Sequence, residues 1–342
     1  MKQYVGLDVS LETTFVSVVG ERGREVWKGK IKSTPQAIFK TIRKHAPAAV
    51  KVGFETGALS TWHWHSLKEM GLPVVCLDAR HANAALSMQT NKTDANDALG
   101  LAQILRTGWI REVKVKSMDS HLIRTMLRSR KQMVGMRTKL TNHLRGVLKT
   151  FGLVLKKASG KSFEKRVREL TVGRIELDQI MESMLTVWRS LCEQIEVLDK
   201  ALGLHAKEDD VCQLLMTVPG VGPITALCFL AAVDDPKRFK KSSSVGAYMG
   251  LTPRRYQSGE VDRKGRISKC GDAMARSYLY EAANIILTRV GRWSKLKAWG
   301  MRIMKRSGAK KAKVAMARKL AVIMHRMWMD GTAFIWGDPK KA

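Results

Sequence analysis

Acid is what this chain of 342 residues is short of: 30 Asp and Glu stand against 61 Lys and Arg, a formal charge of +31. The excess is spread along the whole chain rather than confined to a tail, which favours a folded surface that meets a polyanion, with nucleic acid the default partner. A basic membrane-surface protein is the competing reading, but long apolar runs are lacking too. The longest, residues 225–233, falls well short of the ~20 residues a spanning helix needs. Cysteine is sparse and unpatterned. The five, Cys76, Cys192, Cys212, Cys228 and Cys270, are odd in number and never form a C-x-x-C pair, which argues against a disulfide framework or zinc site and for a reducing cytosol. No signal peptide opens the chain, since Met1, Lys2 and Gln3 lead straight into a strand-like run. The length accommodates two or three domains, each with its own core.

Against that background the stretch N-K-T-D-A-N-D-A, residues 91–98, stands out. With the apolar run Leu99, Leu101, Ala102, Ile104 and Leu105 continuing it as a helix, Asp94 and Asp97 lie three apart on one face, a metal-ligand spacing. Two unpaired like charges repel, so a shared divalent cation is one explanation. The plainer one is that Asp94 caps the helix and Asp97 complements its dipole.

Before it, residues 4–9, 14–19 and 25–31 are rich in β-branched residues and separated by short polar turns, which predicts a three-stranded antiparallel meander. A helix is expected from Thr34 as N-cap and Pro35 at its first position through Lys44. Strand 50–55, helix 60–70, strand 73–77 and helices around Ala79 and Asp94 follow. Three strands followed by strand-helix alternation is the order of a ribonuclease-H-like α/β domain. Asp8 falls in the first strand and Glu55 at the carboxyl end of the first parallel strand, where α/β sheets place their sites. Asp8, Glu55, Asp94 and Asp97 together would suit two Mg²⁺ ions roughly 4 Å apart, clamping a phosphodiester. Asp78 ranks below them as a helix cap. His63 and His65, two apart on a helix, read as packing residues.

Residues 118–151 and roughly 175–202 carry helical periodicity, the first interleaved with Arg and Lys, with a Gly, Ser and Lys-rich break at 156–162. This predicts an antiparallel helical hairpin or coiled coil suited to oligomerisation, or an ordinary bundle with a solvated basic face. Further on, V-P-G-V-G at 218–222 places a tight turn between apolar helices. Gly220 and Gly222 there would let the backbone approach a phosphate, as in a helix-hairpin-helix element. Then come G-L-T-P-R-R-Y-Q-S-G at 250–259 and a cationic segment at 263–269, a serine among cations without a nearby histidine, which argues against a Ser-His-Asp hydrolase. Residues 293–306 and 309–329 read as basic amphipathic helices.

The order G-L-D, F-E-T-G, K-T-D-A-N-D-A, V-P-G-V-G, G-L-T-P-R-R-Y-Q-S-G and S-K-C-G-D resembles the DEDD transposases of the insertion-sequence 110 family across nearly the whole chain. The resemblance implies a RuvC-like (RNase H-like) domain at 1–112, a helical coiled-coil linker at 113–205, and a mainly helical transposase domain with the helix-hairpin-helix at 206–342. It implies a recombinase guided by a structured bridge RNA that pairs with donor and target DNA. Asp8, Glu55, Asp94 and Asp97 would bind Mg²⁺, and Ser258 would attack a phosphate to give a phosphoserine intermediate. Arg254, Arg255, Arg263, Lys264 and Lys269 would position that phosphate. Ser268 is the rival nucleophile, with residues 242–244 more distant. The site would be shared between subunits of a tetramer, a dimer of dimers, in a bacterial cytoplasm at the nucleoid. Two alternatives stand beside this reading: a RuvC-like nuclease in which water attacks, and a non-catalytic nucleic-acid-binding scaffold.

Overall fold

The computed structural model of the chain describes residues 1–87, 91–156, 158 and 160–337, with the side chains of Lys161 and Lys264 outside that description. Two compact units divide the chain, Met1–Lys116 and Ser117–Ala342.

In the first unit, β1 (Gln3–Val9), β2 (Thr13–Gly20) and β3 (Glu25–Lys32) form the expected antiparallel meander. α1 (Pro35–His45) begins where Thr34 accepts the Ala37 N–H at 3.3 Å and Pro35 fills the first turn. It leads into β4 (Ala49–Glu55), which pairs parallel with β1; α2 (Ser60–Glu69) then leads into β5 (Val74–Leu77), parallel to β4. The strand order β3-β2-β1-β4-β5, antiparallel on one side of β1 and parallel on the other, is that of an RNase H-like domain. α3 (Ala79–Leu86) and α4 (Asp94–Thr107) complete the unit.

Strand alternation divides the residues of this sheet between two faces. Val5, Leu7, Val52, Phe54, Val74 and Cys76 pack with Ile38 and Ile42 of α1 and Leu67 of α2. The opposite face is built around Val75, Leu77, Leu101 and Leu105, and there α4 crosses the sheet. The crossing is close because the strands present no side chain at two points. A Cβ on Gly6 would stand 2.1 Å from the Ala98 carbonyl oxygen and 2.5 Å from the Ala102 nitrogen, and one on Gly53 would stand 2.6 Å from a Leu105 methyl. The sequence reading overlooked both seats.

In the second unit, α5 (Met118–Thr150) and α7 (Ile175–Glu208) run antiparallel, with α6 (Lys161–Thr171) between them in sequence. α6 begins within the expected Gly, Ser and Lys-rich break, of which Lys157 and Ser159 lie outside the described residues. One end of the pair buries Leu144 and Leu148 against Phe163, Val167, Leu177 and Met181. Midway, the Arg130 guanidinium pairs with Asp199. At the other end Leu127, Leu202 and Ala206 enter the core of the C-terminal helices. These are α8 (Asp210–Met216), α9 (Pro223–Val233), α10 (Ser243–Tyr248), α11 (Ala273–Thr288), α12 (Lys295–Ser307) and α13 (Ala309–Asp330). The most apolar run of the sequence is α9, whose residues 226–233 are all buried: it is a core helix. Among the described residues no helix is long and apolar enough to cross a membrane. A two-stranded hairpin, β6 (Pro253–Ser258) and β7 (Val261–Ile267), stands between α10 and α11 in sequence.

Gly6→Ala tests the close crossing. With two backbone atoms in the way, the expected cost lies at or above the upper end of the ~1–3 kcal/mol typical of overpacking. It is read as faster hydrogen exchange at β1 amides and a lower melting temperature. Gly135→Ala, on an open stretch of α5 with nothing within 4 Å of its added Cβ, is expected to stabilise by about 1 kcal/mol. Equal melting of wild type and Gly6→Ala contradicts the packing.

Candidate active site

Gly6 and Gly53 each precede an acid by two residues, in G-L-D and G-F-E. Two residues along a strand is the same face, so Asp8 and Glu55 point to the side on which α4 lies. They also sit side by side, one residue beyond the last registered pair, Leu7 with Phe54. α4 starts at Thr93, whose hydroxyl accepts the Asn96 N–H at 3.2 Å, and carries Asp94 and Asp97 in its first turn. With Ala98 seated on Gly6, that turn comes down beside the strand ends. Asp8, Glu55 and Asp97 therefore line one cleft, and Asp94 lies near enough for its charge to act on Asp8.

Their electrostatics agree. Burial, then the Asp94 and Asp97 charges, hold the Asp8 pKa above the usual carboxylate value, opposed by Lys92. Burial, then Asp8 and Asp97, do the same to Glu55, again opposed by Lys92. Among the described residues no three acidic, His or Cys side chains stand close enough to hold one ion. The donor set, anionic oxygens from two strands and a helix, is nonetheless of the kind that suits a hard divalent cation. These acids open on a cleft of about 550 Å³ that Asp8, Glu55 and Asp97 share with Lys92 and with Arg80, Asn83 and Ser87 along α3. Lys92, inside the K-T-D-A-N-D-A motif, and the α3 wall thus join the acids as lining residues.

Asp78 is the helix cap expected: it accepts the Arg80 N–H at 3.0 Å, and hydrogen bonds from Arg80 hold its carboxyl below the usual value. His63 is fully buried beside Phe54, and burial lowers its pKa. Half-buried His65 bonds the Lys116 carbonyl at 2.9 Å.

Ser258 ends β6 at the exposed tip of the hairpin, paired with Val261 across the turn at Gly259 and Glu260. The hairpin is tied at its base. A Cβ on Gly250 would lie 2.3 Å from the Cys270 carbonyl oxygen and one on Gly271 2.0 Å from that of Tyr248. Both glycines have positive φ, and Lys269 between them is held at φ 54° in the left-handed region, uncommon for a side-chain-bearing residue. Beyond this knot Asp272 caps α11 through the Met274 and Ala275 N–H groups and pairs with Arg124 at 2.5 Å.

Of the candidate cations, Arg254 donates to the Ser268 carbonyl at 3.2 Å and Arg255 grips Asp262 through bonds of 2.8 and 2.9 Å. Arg263 pairs across the ladder with Tyr256. The side chain of Lys264 lies outside the described residues. Ser268 Oγ accepts the Cys270 N–H at 3.3 Å. Ser242 Oγ sits 3.0 Å from Nδ1 of buried His325, whose Nε2 lies 2.9 Å from the Pro236 carbonyl, a pairing 83 residues apart that the sequence reading did not anticipate. At the V-P-G-V-G turn, Gly220 has φ 79° and faces α11, where a Cβ would stand 2.9 Å from the Ala282 carbonyl oxygen. Gly222 is open on its Cβ side and starts α9 without a side-chain cap.

Residues 5–152 match a family model described as Transposase, and residues 212–298 one described as Transposase IS116/IS110/IS902 family. Over 334 residues the chain is 28% identical to the transposase for insertion sequence element IS1111A of Coxiella burnetii, covering 94% of this chain and 88% of that one. It is 30% identical over 252 residues to the transposase for insertion sequence element IS1328 of Yersinia enterocolitica, covering 72% and 75%. A shorter match, 31% over 123 residues, is to the pilin gene-inverting protein of Moraxella bovis, covering 35% and 38%.

The raised carboxyl pKa values carry a signed expectation. The fold binds the Asp8 and Glu55 protons more tightly than the unfolded chain does. Their contribution to stability is therefore largest below the unfolded carboxyl range, about 4, and is lost as pH rises through the folded values. In EDTA, Asp97→Asn, which removes a charge acting on both, is expected to melt higher than wild type at pH 7 and to lose that advantage toward pH 4. Parallel pH profiles for the two proteins contradict the reading.

Proposed function

We propose, from the premise that this chain belongs to the IS116/IS110/IS902 transposase family, that it recombines DNA under RNA guidance through a serine-phosphate intermediate. The observation that carries the reading is the approach of Asp94 and Asp97, in the first turn of α4, to Asp8 and Glu55 at the carboxyl ends of β1 and β4, together with a serine at an exposed cationic hairpin tip. Asp8, Glu55, Asp94 and Asp97 hold Mg²⁺. When bound there, Mg²⁺ offsets charge developing on a phosphate and eases deprotonation of a nearby hydroxyl.

Ser258 Oγ forms the new bond to phosphorus while a bond from phosphorus to a deoxyribose oxygen breaks, and the serine proton ends on the freed DNA hydroxyl. One ester replaces another, so the reverse attack by a hydroxyl of the second DNA rejoins the strands without ATP. Arg254, Arg263, Lys264 and Lys269 contribute the charge that holds the backbone at the hairpin. α9's uncapped start, at Gly222, offers N–H groups to a second stretch of backbone, in the manner of a helix-hairpin-helix.

The acids and the serine belong to different units of the chain. In the proposed assembly, a tetramer built as a dimer of dimers, the acidic unit of one subunit meets the serine of another. The paired helices α5 and α7 serve as the coiled-coil linker. A guide RNA, the bridge RNA, supplies the sequence reading by pairing with donor and target DNA; the +31 charge supports binding of RNA and DNA together.

The test incubates purified protein with Mg²⁺, the RNA encoded beside its gene and labelled donor and target DNA. Wild type, Ser268→Ala and Ser242→Ala are expected to give a denaturant-resistant protein-DNA adduct, and Ser258→Ala to lose it by at least about 10³-fold. Cutting by Ser258→Ala at the wild-type rate with no adduct in either protein overturns the serine reading and assigns the attack to water.

A further inference from the structure

The hairpin that carries Ser258 has two chemically different faces. Residues paired across an antiparallel ladder share a face, and alternate residues change face. Ser258 pairs with Val261 and Tyr256 with Arg263, so these four share one face; Gln257 pairs with Asp262 and Arg255 with Lys264 on the other. The diagonal Arg255–Asp262 ion pair, 2.8 and 2.9 Å, confirms that those two side chains stand together away from the serine. On the serine face Tyr256 is 67% exposed and Val261 41% exposed, an aromatic ring and a branched aliphatic side chain held in solvent on a strongly basic protein. No carboxylate pairs with Arg263 among the described residues, in contrast to Arg255.

We infer that Tyr256 and Arg263 grip the nucleotide beside the phosphate that Ser258 attacks: the Arg263 guanidinium holds the phosphate and the Tyr256 ring stacks on the adjoining base. The inference rests on the reading of Ser258 as nucleophile. Tyr256 lies two residues from Ser258, about 7 Å along the strand. A solvent-exposed ring at that distance has the use that single-stranded nucleic acid makes of aromatic side chains: a platform for a base of any identity, leaving sequence to be read elsewhere. That division suits an enzyme whose sequence reading is done by base pairing. Arg263, one ladder step behind the serine and without a carboxylate partner among the described residues, presents a planar donor set to phosphate oxygens. Arg255 is then a brace: its pair with Asp262 stiffens the hairpin, so that the tip holds its shape as the strand seats.

The stacking test uses donor DNA with 2-aminopurine at each base flanking the junction, bound to Ser258→Ala protein so that no chemistry intervenes. Fluorescence of one of these positions is expected to fall on binding, to fall equally with Ser258→Ala/Tyr256→Phe, and to stay unquenched with Ser258→Ala/Tyr256→Ala. With Ser258 present, Tyr256→Ala is expected to slow adduct formation about 5- to 150-fold, the range of a lost base-aromatic stack, while Tyr256→Phe recovers it. Arg263→Ala should raise the DNA concentration needed for half-maximal rate. Activity lost in Arg255→Ala should return when the charges are exchanged as Arg255→Asp/Asp262→Arg. Equal quenching with alanine and phenylalanine at 256 overturns the inference while leaving the serine reading standing. An absent adduct in wild type removes the serine reading, and the quenching still decides whether Tyr256 stacks.

Discussion

The distance between α4 and the central strands governs the N-terminal unit. A helix ordinarily rests on a sheet through side chains on both, and here the strands withdraw theirs at Gly6 and Gly53, so the Ala98 carbonyl and the Leu105 methyls fill the space a Cβ would take. That contact sets how deep the helix sits, while the Thr93 cap sets where it starts. Asp94 and Asp97, in the first turn, are carried to Asp8 and Glu55, two residues past the glycines on each strand. Burial, and after it the charges of neighbouring acids, raise the carboxyl pKa values of Asp8 and Glu55, while Leu101 and Leu105 of α4 pack into the core on the same face of the sheet. Carboxylates perturbed by burial and by like charges in a cleft are candidates for a functional site.

In our reading the second unit solves the opposite problem, presenting the Ser258 nucleophile rather than gathering charge. Its core, built on the buried helix α9 and closed by α11 and α13, is conventional. From it the hairpin projects, anchored by backbone passing against backbone at Gly250 and Gly271 and by the strained turn at Lys269. A tied base and an exposed tip would, in our reading, let a short strand reach DNA without disturbing the core. A serine hydroxyl alone is a weak nucleophile. Its separation in sequence from the acids makes chemistry depend on bringing the two units' residues together, which in our reading is what assembly on RNA and DNA accomplishes.

Much of this was legible in the residues, and the reasons differ by element. The meander, α1 and β4 announce themselves by β-branched alternation, turn residues and the Thr34-Pro35 cap, all local signals. The four candidate acids stood out because acids at the ends of elements are conspicuous in so basic a chain. The glycine seats did not, since a glycine two residues before an acid has meaning only once its partner helix is known. α6 was hidden by the Gly, Ser and Lys-rich residues that precede it, which read as a loop. The Ser242–His325 contact spans 83 residues and has no local trace. The two faces of the hairpin need the ladder register, which turn length at Gly259 and Glu260 decides.

In our reading, acids from one chain act on the serine of another. The measurement that tests it most directly is adduct formation in oligomers assembled from two inactive chains, one Ser258→Ala and the other Asp94→Asn/Asp97→Asn. Each is expected to be inert alone, and their co-assembled mixture to recover a clear fraction of wild-type adduct, linked only to the chain that keeps Ser258. A mixture shown to contain mixed oligomers, yet as inert as its components, contradicts a site shared between subunits.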